Sequence, residues 1–225
     1  MSSNDGAILV FTKGTNPEDV KTRLSDFLSP EQRFELHIAF IKDTLEKVRS
    51  LPYAPHLYVM GNSEFDFRLD LPIYPQEGID LGSRLANAFA SVLKQFHRGV
   101  VIGTDSPDLP ADRIEFAFAK LTEADVVLGP TEDGGYYLLG LSHMIPEIFQ
   151  EISWGTNAVL KQTLQKARNH KVALLEPHYD VDVIDDLHRL RKNLERDPLT
   201  APNTNRWFSQ HALIQQHDMP QSAPE

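Results

Sequence analysis

Short apolar runs alternate along the chain with longer stretches whose apolar residues recur at helical spacing. Gly6 to Thr12 (GAILVFT) is apolar almost throughout, the pattern of a strand covered on both faces. His56 to Met60, Gly99 to Gly103, Asp125 to Leu128, Tyr136 to Leu141 and Lys171 to Glu176 predict further strands. Phe65 to Tyr74 reads as a loop leading into one more. Between these runs, Pro30 to Ser50 spaces Phe34, Ile38, Ile41, Leu45 and Val48 as one helical stripe, with Ser29 and Pro30 suited to its start. Leu81 to Phe96 turns Leu85, Ala88, Phe89, Val92 and Phe96 inward in the same way. Ala111 to Ala124, Asn157 to His170 and Val183 to Arg196 predict helices, and Val20 to Leu24 and Pro146 to Ile152 shorter ones. Such alternation is the pattern of a layered α/β domain with a mainly parallel sheet. Residues 1–200 read as one domain and 201–225 as a polar tail, with Met219 to Glu225 expected to be disordered.

Composition narrows the class. Hydrophobic residues make up 41% of 225, enough for a sizeable core. Lys plus Arg is 22 against 32 Asp plus Glu, a net charge of −10 that argues against general nucleic-acid binding. There is no Cys, which removes disulfides, thiolate metal sites and Cys nucleophiles and suits a cytoplasmic protein. Met1 to Gly6 lacks a basic region, and Ala7 to Phe11 is too short for a signal peptide or a membrane span.

Four polar stretches interrupt the apolar pattern, and an open α/β sheet gathers loops at its carboxyl edge. Lys13 and Val20-Lys21-Thr22-Arg23 follow the first strand, where cations and helix N–H groups suit a diphosphate or form a solvated face. Gln76 to Arg84 carries Gly78 and Gly82, small enough for a planar group to approach, and Gln76, able to bond a base edge. A turn and helix cap is the plainer reading of that stretch. Asp133-Gly134-Gly135-Tyr136-Tyr137 makes a tight turn with rings that can stack on a sugar or base, or a plain hairpin. Gly103-Thr-Asp105-Ser-Pro-Asp108-Leu-Pro110 ends the central strand with two carboxylates. Asp105 reads as a pivot for a divalent cation and Asp108 as a structural cap. Late in the chain, Asp180 and Asp182 point the same way in a strand-like stretch and could complete an oxygen-ligand Mg²⁺ or Mn²⁺ site, while Asp185 and Asp186 suit a helix N-terminus. No Walker A, GxGxxG, HExxH or GxSxG pattern is present.

Phe11-x-Lys13 with Val20-Lys-Thr-Arg-Leu24, Gly103 to Pro110, Leu128-Gly-Pro-x-x-Asp-Gly-Gly-Tyr-Tyr137, Trp154-Gly-Thr156 and Tyr179-Asp-Val-Asp182, in that order, resemble the DUF2064 family over roughly residues 7–190. The family is glycosyltransferase-A-like (GT-A) and lies in the nucleotide-diphospho-sugar transferase superfamily. The resemblance implies a Rossmann-like three-layer α/β/α sandwich with a mainly parallel mixed sheet. It implies Lys13, Lys21 and Arg23 facing phosphates, Gln76, Gly82 and Arg84 near the base or ribose, and Asp105 with Asp182 and Asp180 at the metal. Asp133, Gly134, Gly135, Tyr136 and Trp154 would line the acceptor or sugar side. One departure stands out: the family's first loop runs Pro-x-Pro-Gly, and here it is Thr15-Asn-Pro17-Glu18, with a carboxylate where a glycine is expected.

The expected activity is a metal-dependent glycosyltransferase using a nucleotide-sugar donor and a small-molecule acceptor, with Asp133 as a base. The alternatives are a nucleotidyltransferase moving NMP from an NTP to a phosphorylated acceptor, resembling 2-phospholactate guanylyltransferase, and a nucleotide-binding protein with little catalysis. Base, sugar, acceptor, stereochemistry and oligomeric state are not encoded in these motifs.

Overall fold

In the computed structural model, residues 5–61, 64–67 and 69–211 are described. Seven strands, β1 (Ala7–Lys13), β2 (Ala54–Met60), β3 (Ile73–Pro75), β4 (Gly99–Gly103), β5 (Val126–Pro130), β6 (Tyr136–Leu141) and β7 (Val172–Leu174), form one sheet in the order β3-β2-β1-β4-β6-β5-β7. β6 runs antiparallel to β4 and β5, and the other pairings are parallel. The helices are α1 (Pro30–Arg49), α2 (Leu81–Val92), α3 (Ala111–Lys120), α4 (Val159–Lys166), α5 (Ile184–Arg196) and α6 (Pro202–Gln210). The expected α/β/α sandwich with a mixed sheet is what forms.

The period of two along β1 builds the layers. Ile8 and Val10 join Ile38, Ile41 and Leu45 of α1 and Ile114 and Phe118 of α3 on one face. Ala7, Leu9 and Phe11 join Leu85, Phe89 and Val92 of α2 on the other. A third cluster lies outside the sandwich. There Leu36, Ala39 and Phe40, on another side of α1, meet Leu187, Leu190 and Leu194 of α5 and Trp207 and Phe208 of α6.

As far as residue 211, the polar segment after Pro198 is therefore not a tail. Residues 202–210 are helical, and Trp207 and Phe208 are buried. Asp43 of α1 fixes that helix by accepting from the Asn203 and Thr204 N–H groups at 2.8 Å each and from Thr204 Oγ1 at 2.6 Å. Met219 to Glu225 lie outside the described residues. Val20 to Leu24 and Pro146 to Ile152, expected as short helices, hold only single 3₁₀ turns, Thr22–Leu24 and Pro146–Phe149.

The sheet order sets the functional edge. From β1 the chain moves outward through β2 and β3, then returns to β4 on β1's other side. The order reverses between β1 and β4, and loops diverging there open a crevice at the carboxyl ends of both strands.

Candidate functional site at the switch point

A cleft of about 780 Å³ opens at that crevice. The carboxyl ends of β1 and β4 form its floor, where Thr12 and Thr104 place their hydroxyls 3.2 Å apart. Of the sequence-predicted residues, Lys13, Lys21, Arg23, Gln76, Arg84, Asp105, Asp133, Gly135, Tyr136, Trp154, Asp180 and Asp182 all line it. Gly82 and Gly134 do not form its wall; they serve packing instead. A Cβ on Gly82 would come to 2.5 Å of Trp154 Nε1 and 2.6 Å of the Phe149 carbonyl, so only a glycine lets α2 approach the indole so closely. Gly134, at φ +89°, would place a Cβ 2.3 Å from the Asn157 carbonyl.

The carboxylates meet across 70 residues of sequence and more because the late segment crosses the loop after β4. The Val181 N–H donates to the Asp105 carbonyl at 2.8 Å. Ser106 Oγ donates to Asp180 Oδ1 at 2.6 Å. Burial and the Asp105 charge push Asp180 up to about 6, and the same causes raise Asp182. Asp105 moves down: dehydration acts against it, but the Lys21 ammonium, which also donates to it, and the charge of Lys13 outweigh that.

Each of two carboxylates already holds a cation. Lys21 Nζ donates to Asp105 Oδ1 at 2.5 Å and to the Val181 carbonyl at 2.8 Å, and sits 4.6 Å from the centre of the Phe40 ring. Arg23 donates to Asp182 Oδ2 at 2.9 Å. Among the described residues, no group of three or more His, Asp or Glu is assembled in a metal-binding geometry. The donor set nevertheless fits a hard divalent cation in its chemistry: oxygen ligands of like charge, held near one another, on a partly dehydrated wall.

Other residues fall into less expected roles. Glu18 lies in an exposed 3₁₀ turn, Pro17–Asp19, and is not part of the cleft lining. Asn16 caps that turn and Lys13 Nζ donates to the Asp19 carbonyl at 2.8 Å. Gln76 uses its amide N–H donors on the Thr12 and Tyr58 carbonyls, at 2.9 and 3.1 Å. Arg84 Nε donates to the Gly78 carbonyl at 3.1 Å. Asp133 Oδ1 accepts from Thr131 Oγ1 at 2.5 Å and from the Gly135 N–H at 3.1 Å, so this oxygen holds its own turn. Asp108 is structural, though not a local cap. It is buried and accepts from Tyr179 Oη, Asn193 Nδ2 and His178 Nε2 at 2.6, 3.1 and 3.3 Å, tying the late segment and α5 to the β4 loop. Asp186 caps α5 through the Asp182 and Val183 N–H groups.

His37 is the cleft residue that motif reading passed over. It stands on α1, where burial takes its pKa down to about 4 and keeps the ring neutral. Its Nε2–H donates to the Lys13 carbonyl at 3.3 Å, bracing the end of β1. The available signal is its place four residues before Ile41, on the inward side of the predicted helix.

In three dimensions, a candidate nucleotide-diphospho-sugar transferase from Desulfovibrio desulfuricans G20 matches with a TM-score of 0.88 at 29% identity, over 98% of this chain and 100% of that one. The 4-diphosphocytidyl-2C-methyl-D-erythritol synthase of Anaerococcus prevotii DSM 20548 matches at 0.58 and 10% identity, over 87% of this chain and 100% of its own. Rv0371c of Mycobacterium tuberculosis H37Rv, solved in complex with manganese, matches at 0.52 and 17% identity, over 84% and 98%. At those two identities the likeness is one of fold. Residues 45–156 match the sequence model of DUF2064, described as an uncharacterized protein conserved in bacteria. Through that segment, the chain belongs to the DUF2064 family.

Proposed function

We propose that this protein is a transferase acting on a nucleotide-activated substrate, and more narrowly a glycosyltransferase that takes a nucleotide-sugar donor with Mg²⁺ or Mn²⁺. The observation that supports it is the meeting of Asp105 and Asp182 with Lys21 and Arg23 in one cleft at the switch point. That arrangement offers carboxylates for a cation beside cations for a diphosphate. The candidate nucleotide-diphospho-sugar transferase of D. desulfuricans, alike over nearly the whole chain, supports the same class.

In this reading Asp105 and Asp182 hold the metal, with Asp180 beside them. The metal, when bound, supplies positive charge against the leaving diphosphate. Lys13, Lys21 and Arg23 bind the phosphate oxygens and stabilise the charge that grows on them. Gln76 and Arg84 stand on the nucleoside side and Tyr136 and Trp154 on the sugar or acceptor side, where the two rings lie edge to face at 6.5 Å. Gly135 lets that wall come close. Gly82 and Gly134 act indirectly, through Trp154 and the Asn157 loop.

Asp133 is the weakest part of the glycosyl reading as a base, because one oxygen is bound twice within its own turn. This favours a second reading, nucleotidyl transfer. A phosphorylated acceptor is already an anion at neutral pH and attacks an NTP without a base.

One assay separates the two. Nucleotides and nucleotide sugars are screened by thermal shift with Mn²⁺, and the best binder goes into turnover. Release of NDP from a nucleotide sugar is the expected result; pyrophosphate release from an NTP establishes the second reading. Asp105→Asn is expected to lose turnover by at least 100-fold. Unchanged turnover and metal dependence in that variant would overturn the site assignment.

A further inference from the structure

The geometry points to Lys21 and Arg23 as specificity-determining residues that keep the carboxylates from taking a bare divalent cation, so that metal enters only together with a diphosphate. The inference rests on the metal–diphosphate reading of the cleft and deepens it.

Both carboxylates at the centre of that reading are engaged from within. Lys21 Nζ lies on Asp105 Oδ1 and the Val181 carbonyl, and Arg23 lies on Asp182 Oδ2. Lys21 is the tighter of the two. Its side chain is 4% exposed, against 66% for Arg23. Its backbone is held at φ 47°, ψ 39°, a left-handed conformation that few non-glycine residues adopt. Packed on Phe40 and fixed at its backbone, Lys21 has no ready path into water. A cation binding Asp105 must therefore accept an ammonium close beside it, and that repulsion acts in a partly dehydrated space.

A diphosphate changes the balance. Its oxygens give Lys21 and Arg23 new anionic partners as the carboxylates turn to the metal. Every charge then keeps a counter-charge, and only the pairing is exchanged. Lys13 differs from both, since its Nζ bonds the Asp19 carbonyl rather than a carboxylate.

Direct binding of Mn²⁺ alone, followed by electron paramagnetic resonance of the free ion, tests this without turnover. Lys21→Met keeps the stem's volume over Phe40 and removes the ammonium. It is expected to bind Mn²⁺ at least tenfold more tightly than the native protein. Arg23→Met, at an exposed position that leaves the core intact, is expected to bind two- to fivefold more tightly, and carries the test if the Lys21 variant does not fold. Lys13→Met removes the same charge from the same cleft and is expected to change the affinity less than twofold. Unchanged or weaker Mn²⁺ binding in both Lys21→Met and Arg23→Met overturns the inference, as does an equal gain in Lys13→Met, which would mark a general field effect. A nucleotide screen that finds no donor would instead count against the proposed function. Mn²⁺ affinity alone reads the cation exchange.

Discussion

At Gly82 the backbone of α2 nearly touches the Trp154 indole, and the position of that ring depends on the missing side chain. Gly82→Ala is expected to cost about 1–3 kcal/mol by overpacking. It should also displace Trp154. The chain has two Trp residues, so emission recorded in a Trp207→Phe background reports Trp154 alone. A shifted emission maximum is expected, and an unchanged spectrum would show that the ring is placed otherwise. The glycine was visible in the sequence, but its partner was not, because residue 154 lies far along the chain. Glu18 shows the reverse. Sequence reading set its carboxylate against a phosphate, whereas Asn16 closes a 3₁₀ turn that carries Glu18 outside the cleft lining. Asp105, Asp180 and Asp182 were each legible as residues after apolar runs. That Lys21 and Arg23 would already be paired with two of them was not, since such pairing depends on distances between separate loops.

Among the elements, α1 diverges most from its sequence pattern. A single apolar stripe was expected, and Ile38, Ile41, Leu45 and Val48 do face the sheet. Leu36 and Phe40 are buried as well, because α5 and α6 cover another side of the helix, and Arg33, His37, Asp43 and Thr44 are buried beside them. Arg33 and Asp43 read as solvent-facing in a one-dimensional pattern, yet both find partners within. Arg33 donates to the Val20 carbonyl at 3.0 Å, bracing the segment before Lys21. Asp43 fastens the first turn of α6. Asp43→Ala leaves the Thr204 N–H and hydroxyl buried without their acceptor, at an expected cost of about 3 kcal/mol. Asp43→Asn, which keeps an acceptor oxygen, should lose about half as much. Urea denaturation measures both, and equal, small losses would show that α6 is held by Trp207 and Phe208 alone.

For the whole molecule, the buried His37 and the half-buried Asp180 make stability depend on pH in opposite senses. His37 titrates at about 4 in the fold and ordinarily at 6.5, so the unfolded chain takes up its proton first. Its contribution is complete above 6.5 and is lost as pH falls toward 4. Asp180 titrates at about 6 in the fold and ordinarily at 3.8, so the folded chain binds its proton first. Stability from that group is present at low pH and lost as pH rises through 4 to 6. Each effect amounts to roughly 3 kcal/mol over its window, and between about 4 and 6 they oppose each other. With a chelator present, Asp180→Asn is expected to be about 2 kcal/mol more stable than the native protein at pH 7. It should also lose stability more steeply below pH 6.5, because the His37 effect is then unopposed. Denaturation midpoints across pH 4 to 8 check this, and a flat profile for the variant would refute it.

Apart from α6, the strands, the helices and their α/β order were determined by the sequence itself, because period 2, period 3.6, prolines and caps act over a few residues. β4 (Gly99–Gly103) and β6 (Tyr136–Leu141) lie where the apolar runs placed them. The cleft residues were legible too, as polar stretches that end such runs. Tertiary structure alone decided which of them touch. The reversal of strand order between β1 and β4 brings residue 12 beside residue 104, and the crossing at Val181 brings residue 182 beside Arg23. The same packing buries a second side of α1 under α5 and α6. Ion pairing, dehydration and close approach act through space over a few ångströms, and no local pattern along the chain encodes those distances.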